Sequence, residues 1–290
     1  MLKNKIDLHT HTTASDGTYS PVRLVDYAVR EGVSALAITD HDTVDGLPEA
    51  AAYARRINFN LIPGIEFSVE YPHGTFHVVG LFIDFENHEI KSKLVSLRSY
   101  RENRAHGIID DLNRCGIDIT LDDVYAEASG APVGKPHFAR VMVQKGYARN
   151  IDEVFENFLV NGKPGDVMKE KITPDDALNL IRGAGGISIL AHPASLEFTS
   201  FSEFESVLAP LIEKGLDGIE AYAGMHTEEQ TLEFVRMARK YGLVLSGGSD
   251  FHGEKDEKIG YYSERNIIPV NLLDTLESYW KKKVKGASNI

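Results

Sequence analysis

The residues best suited to chemistry near the start of the chain are His9 and His11, in Ile6-Asp7-Leu8-His9-Thr10-His11, followed by Asp16 in Ser15-Asp16-Gly17. Side chains alternate along a β-strand, so a strand beginning at Ile6 would present His9 and His11 together at its C-terminal end. Two imidazoles with a carboxylate close by are a donor set for Zn, Mn or Fe. The same residue types return in Asp40-His41, in Glu66 with His77 nearby, in His192, and in Asp250-Phe251-His252. Read alone, each is an ordinary hydrogen-bonded side chain. Their common placement is what points to metal.

That placement follows from the elements between them. Ser20 as N-cap and Pro21 at the first helical position open a helix that Gly32 ends. Short apolar strands are expected at Ala35-Leu36-Ala37-Ile38, at 60–63, at 75–83, at 186–190, at 218–221 and at 243–246. Helices are expected at 46–56, 173–183, 202–214 and 228–241. Buried strands alternating with amphipathic helices mean βα units and a parallel sheet. In a βα-barrel the strand C-termini carry the chemistry, and the candidate donors sit there. Residues 92–167 break the rhythm. They read as one long helix through Leu94, Leu97, Ile108 and Leu112, followed by shorter helical pieces. The expected organisation is a barrel of residues 1–91 and 168–290 with a helical insertion at 92–167.

Composition limits the partners. In 290 residues with 42% hydrophobic content there is one cysteine, Cys115, against 11 histidines, so a metal site must use nitrogen and oxygen donors. The charged start of the chain lacks the apolar core of a signal peptide, and no apolar run approaches a membrane span. A cytoplasmic enzyme is the expectation. A net charge of −12 argues against a long grip on duplex DNA, though not against a small phosphorylated substrate.

His9-Thr10-His11, Thr39-Asp40-His41, Ala191-His192-Pro193 and Ser249-Asp250-Phe251-His252 resemble the four motifs of the polymerase and histidinol phosphatase (PHP) family of metal-dependent phosphoesterases. The resemblance implies a distorted (β/α)7 TIM-like barrel with two or three divalent ions (Mn, Fe or Zn). One ion would take His9, His11, Glu66 and Asp250. A second would take Glu66, His77 and His192, with Glu66 bridging, and a third Asp16, His41 and His252. Paired cations about 3.5–4 Å apart would acidify a bridging water and clamp a phosphoester, with no Cys or Ser nucleophile. Asp40 would assist from outside the ligand set, by proton transfer or by positioning, and His252 could aid the leaving oxygen.

Within the insertion, Gly134-Lys135-Pro136-His137-Phe138-Ala139-Arg140 resembles a stretch of a PHP subgroup that carries a helical insertion. That subgroup removes the 3′-phosphate of nucleoside 3′,5′-bisphosphates or trims short RNAs from the 5′ end. By resemblance this stretch, with Lys135, His137 and Arg140, would hold a second phosphate. His137 and Arg140 stand at i, i+3 on one helix face, and Arg101 and Arg104 share a stripe of the long helix that could add to the grip. His226 and Glu220 also echo the subgroup, where their loop borders the site. Asp166 departs from the aromatic residue usual there. Histidinol-phosphate hydrolysis and a metal-binding, non-catalytic role are the alternatives.

Overall fold

In the computed structural model the described residues are 5–72, 74–128, 133–160, 162–167 and 171–287, without the side chains of Arg101, Glu102 and Ala287. In chain order they form β1 (Lys5–Asp7), α1 (Pro21–Arg30), β2 (Val33–Ile38), α2 (Leu47–Arg56), β3 (Asn60–Val69), β4 (Phe76–Leu81) and α3 (His88–Arg114). The next elements are α4 (Leu121–Ala128), α5 (Lys135–Gln144), α6 (Ile151–Val154), α7 (Pro174–Gly183), β5 (Ile187–Leu190) and α8 (Phe201–Glu213). The last are β6 (Gly218–Ala223), α9 (Glu228–Tyr241), β7 (Val244–Gly248) and α10 (Asn271–Ala287). Two compact units result, Met1–Ser92 with Ile172–Ile290, and Lys93–Lys171. Among the described residues no helix is long and apolar enough to cross a membrane.

The first unit is a seven-stranded sheet in the order β1 to β7. It bends into a barrel whose first and last strands meet just past their ends. Leu8 N donates to Gly247 O (3.3 Å), Asp250 N to His9 O (3.1 Å) and His11 N to Phe251 O (2.9 Å). The interior holds alternate residues such as Ile6, Leu8, Ala35, Ala37, Val79, Leu81, Ile187 and Ile189, as period-two strands closed on themselves require. α10 lies at the N-terminal ends of the parallel strands. Trp280 Nε1 donates to Gly185 O (2.7 Å) and Tyr279 OH to Asp217 Oδ1 (2.9 Å), with Trp280 stacked on Phe82.

The expectation of a wholly parallel sheet is corrected at one strand. β4 runs antiparallel to both β3 and β5. The link from β3 to β4 is a short turn, too short for the dozen or so residues a parallel crossover needs. β3 is also longer than expected, so Glu66 lies within it rather than beyond its end. The reversal puts the start of β4 at the end of the barrel where β1, β2, β5, β6 and β7 finish. His77 reaches the donor cluster for that reason.

The second unit is helical among its described residues. Ile108, Leu112, Ile119, Val124, Phe138, Met142 and Leu159 form its own buried core. Gly134 N donates to His137 Nδ1 (2.9 Å), which caps α5 at its start.

Candidate metal centre

The donors arrive at the barrel end from backbone that continues the sheet past its strands. Thr39 N donates to Thr10 O (2.9 Å), Asp42 N to Glu66 O (2.9 Å), and Thr10 pairs with Phe251. This stitching extends the sheet's hydrogen bonding into the loop residues. Glu66 pairs with Val79 and Ser68 with His77 in the β3–β4 ladder. Glu66 and His77 therefore share the inner face as diagonal neighbours.

Three overlapping sets of ligand atoms converge. In the first, His9 Nε2 lies 3.3 Å from Glu66 Oε2 and 3.4 Å from Asp250 Oδ1, and His11 Nε2 lies 3.4 and 3.0 Å from the same oxygens. Donors about 2.0–2.2 Å from one tetrahedral ion stand about 3.3–3.6 Å apart, a spacing that the other three pairs meet and that the 3.0 Å pair falls short of. In the second, Glu66 Oε1 lies 2.9 Å from His77 Nδ1 and 3.1 Å from His192 Nε2, and those nitrogens are 3.3 Å apart. His41 Nδ1 approaches Glu66 Oε2 at 2.9 Å, so His41 adjoins this set as well. In the third, His11, Asp16, His41 and His252 face one another, with His252 Nε2 at 3.5 Å from Asp16 Oδ1 and His41 Nε2 at 3.7 Å from Asp16 Oδ2.

Whether these residues suit metal can be tested on their hydrogen bonding. His9 Nε2, both ring nitrogens of His11, His41 Nδ1, Glu66 Oε2 and Asp250 Oδ1 are buried without a hydrogen-bond partner. Buried polar atoms are nearly always satisfied, and a group of unsatisfied ones aimed at each other is where a cation belongs. Three of the donor rings, those of His9, His192 and His252, are held at their Nδ1 atoms. His9 Nδ1 meets Glu220, His192 Nδ1 meets Ser195 Oγ at 2.9 Å, and His252 Nδ1 meets Asp250 O at 2.8 Å. Each hold turns Nε2 toward the cluster as the nitrogen available to an ion. The residues present fit divalent ions.

The clustered donors also shift one another's charge. Burial alone would raise the Glu66 carboxyl, but the imidazoles of His41, His77 and His9 hold it well below the usual range. Burial lowers His77 to about 4. It would lower His252 too, but Asp16 and Asp250 bring that ring up to about 9. Asp250 and Asp16 lie below the ordinary carboxylate range against the pull of burial, Asp250 through His9 and His11, Asp16 through His252 and His41. His192 and Asp250 also take positive φ angles (22° and 56°), an uncommon conformation for side chains of their size.

Asp40 stands outside the three sets. Its Oδ1 accepts Thr12 N (2.7 Å) and Ser15 Oγ (2.6 Å), and its Oδ2 accepts Thr12 Oγ1 (2.7 Å). It thus anchors the turn that carries Asp16. Sequence reasoning missed Asp7, which accepts bonds from His9 N, Ser249 N, Ser249 Oγ and Gly260 N. Burial drives its carboxyl up to about 6. An acid between two buried apolar residues, Ile6-Asp7-Leu8, was the available signal.

The expected substrate contacts are engaged within the chain. Lys135 Nζ pairs with Asp166 Oδ1 (2.8 Å), Arg140 Nε with Glu127 Oε1 (2.5 Å), and Arg104 Nε donates to Val167 O (2.7 Å). His226 Nδ1 meets Ala221 O (3.0 Å), while its Nε2 is buried and unpartnered. The side chain of Arg101 lies outside the described residues.

A PHP domain matches residues 7–162, more than half of the chain. The chain belongs to the PHP domain family. Among its relatives, a 5′-3′ exoribonuclease of Haemophilus influenzae is 37% identical over 87% of this chain and 91% of its own. A 3′,5′-nucleoside bisphosphate phosphatase of Chromobacterium violaceum is 35% identical over 88% of this chain and 90% of its own. A Bifidobacterium adolescentis structure described as a metal-dependent phosphoesterase superposes with a TM-score of 0.79 at 27% identity, covering 95% and 96% of the two chains.

Proposed function

We propose that this PHP protein is a metal-dependent phosphoesterase acting on nucleotides, removing the 3′-phosphate of nucleoside 3′,5′-bisphosphates or cutting at the 5′ end of short RNAs. The observation that carries the reading is Glu66, fully buried, with one carboxylate oxygen facing His77 and His192 and the other facing His9 and His11. One carboxylate aimed into two donor sets belongs in a site that holds two cations. Two relatives that match along most of this chain's length carry the names of these two nucleotide activities.

His9, His11, Glu66 and Asp250 would hold one ion, Glu66, His77 and His192 a second, and Asp16, His41 and His252 a third, with Mn, Fe or Zn as suitable metals. When bound, such ions polarise a phosphoryl group and make water a nucleophile near neutral pH. The chain's own contributions follow from its geometry. Glu66 fixes the spacing of the two sets. Asp40 holds the Thr12–Ser15 turn and with it Asp16. With the third set metal-free, His252 carries a proton at Nε2, where it can be passed to a leaving oxygen. Lys135, His137 and Arg140 serve as an anion grip for a second phosphate, which displaces Asp166 and Glu127 from the two cations.

The test is phosphate release with Mn2+ from adenosine 3′,5′-bisphosphate, a 5′-phosphorylated short RNA and histidinol phosphate. Hydrolysis of either nucleotide substrate at a kcat/KM at least about tenfold above histidinol phosphate supports the reading. Preference for histidinol phosphate, or no hydrolysis by fully metal-loaded protein, overturns it.

A further inference from the structure

We infer that Glu220 is a positioning residue that couples two of the donor sets while belonging to neither. The inference rests on the metal reading above and adds a carboxylate to it. Glu220 sits in β6 at 2% exposure, in the run Ile219-Glu220-Ala221 whose neighbours are fully buried apolar residues. Its two oxygens lie 3.1 and 3.2 Å from His9 Nδ1, and Oε2 also accepts the backbone N–H of His192 at 2.8 Å. A carboxylate can only accept, so His9 keeps a proton on Nδ1, and Nε2, which faces Glu66 and Asp250, is the nitrogen whose lone pair an ion would take. On its other side Glu220 pins the peptide of His192, whose φ of 22° needs an outside hold. That peptide aims His192 Nε2 at Glu66 Oε1, 3.1 Å away. One buried side chain thus orients a donor of the first set through its ring and a donor of the second through its backbone.

Packing around the pair is close at Gly248. A Cβ on Gly248 would fall 2.1 Å from His9 Cβ and 2.8 Å from Glu220 Oε1, so the bare glycine is what lets the three strands close on this contact. Glutamine at 220 would keep the shape but supply one accepting oxygen, and its amide would confront either the His9 Nδ1–H or the His192 N–H.

Glu220→Gln should weaken Mn2+ at both of these sites by about tenfold to a hundredfold, the range for loss of a carboxylate behind a metal-bound histidine. In the Co2+-loaded variant the visible absorption should shift, because the ring that donates to the ion is less basic. A merely structural role would leave the spectrum of bound Co2+ unchanged. Wild-type protein loaded with cadmium and observed by nitrogen NMR supplies a measurement that needs no variant. Coupling to the metal should appear at His9 Nε2 while Nδ1 keeps its proton. Wild-type affinity and spectrum in Glu220→Gln, loss confined to one ion, or cadmium coupling at His9 Nδ1 would each overturn the inference. His9→Ala separates this from the wider reading. If that variant still binds every ion of the wild type, the metal centre is misassigned and the fault is not with Glu220.

Discussion

At the scale of single residues, the site depends on carboxylates with two distinct tasks. Glu66 has an oxygen in each of two donor sets, and its surroundings hold it ionised against the pull of burial. Glu66→Gln removes the shared charge with little change of shape. Metal content by elemental analysis should fall by at least one ion per chain, and turnover should drop by about a hundredfold or more. Full metal content with near-normal rate would exclude the bridging role. Asp40 works at one remove. Its three accepted bonds hold the Thr12–Ser15 turn, so Asp40→Asn loses acceptor capacity exactly where Asp16 is set. The expected result is about a tenfold to hundredfold loss of activity, with the ions bound by Glu66 retained. Loss of one of those ions in step with the substitution would make Asp40 a ligand instead.

At the scale of elements, much of this was legible in the chain. His9, His11, His41, His192 and Asp250 announce themselves by residue type at the ends of apolar runs, because a βα-barrel gathers its parallel strand ends on one face. The direction of β4 was not legible. Phe76–Leu81 is apolar on both faces, and such a run reads the same whether its neighbours are parallel or antiparallel. His77 joins the site only because of that reversal. The carboxylates behind the ligands were readable in principle, since Asp7 and Glu220 interrupt apolar strands and a buried acid must be paired or hydrogen-bonded. Their partners lie up to 253 residues away, which spacing alone cannot supply. The strand contact of β7 with β1 gives the corresponding test. Gly248→Ala places a methyl against His9 and Glu220, so the melting temperature should fall and metal binding should weaken together. A variant with wild-type melting and metal affinity would show that β1 and β7 can separate without harm to the site.

At the scale of the whole molecule, metal and proton would compete for one cluster, and a second unit is proposed to read the substrate. In the metal-free protein His252, raised from 6.5 to about 9, contributes through its contact with Asp16. That contribution is complete below pH 6.5 and is lost as pH rises through about 9. Metal binding needs the ring deprotonated, so it strengthens over the same interval. Between pH 6.5 and 9 the melting temperature gained on adding Mn2+ should therefore widen, and a constant gain would remove His252 from the ligands. The second unit calls for a comparison between substrates. Arg140 is paired with Glu127 and Lys135 with Asp166, pairings across 13 and 31 residues that helical spacing did not foretell. A phosphate gripped by Arg140 gains charge-assisted bonds of about 1.5–3 kcal/mol each. Arg140→Ala should lower kcat/KM for a 3′,5′-bisphosphate by roughly tenfold to a few hundredfold, at about 1.4 kcal/mol per decade. Hydrolysis of p-nitrophenyl phosphate, which has no second phosphate, should scarcely change. Asp166→Asn removes the anion that competes for Lys135 and should lower KM for the bisphosphate alone. A metal-poor or misfolded variant loses both activities together, so only a loss selective for the bisphosphate supports the grip. Equal losses on the two substrates, with Asp166→Asn silent, would mean that these cations hold the helical unit together and leave substrate choice to the barrel.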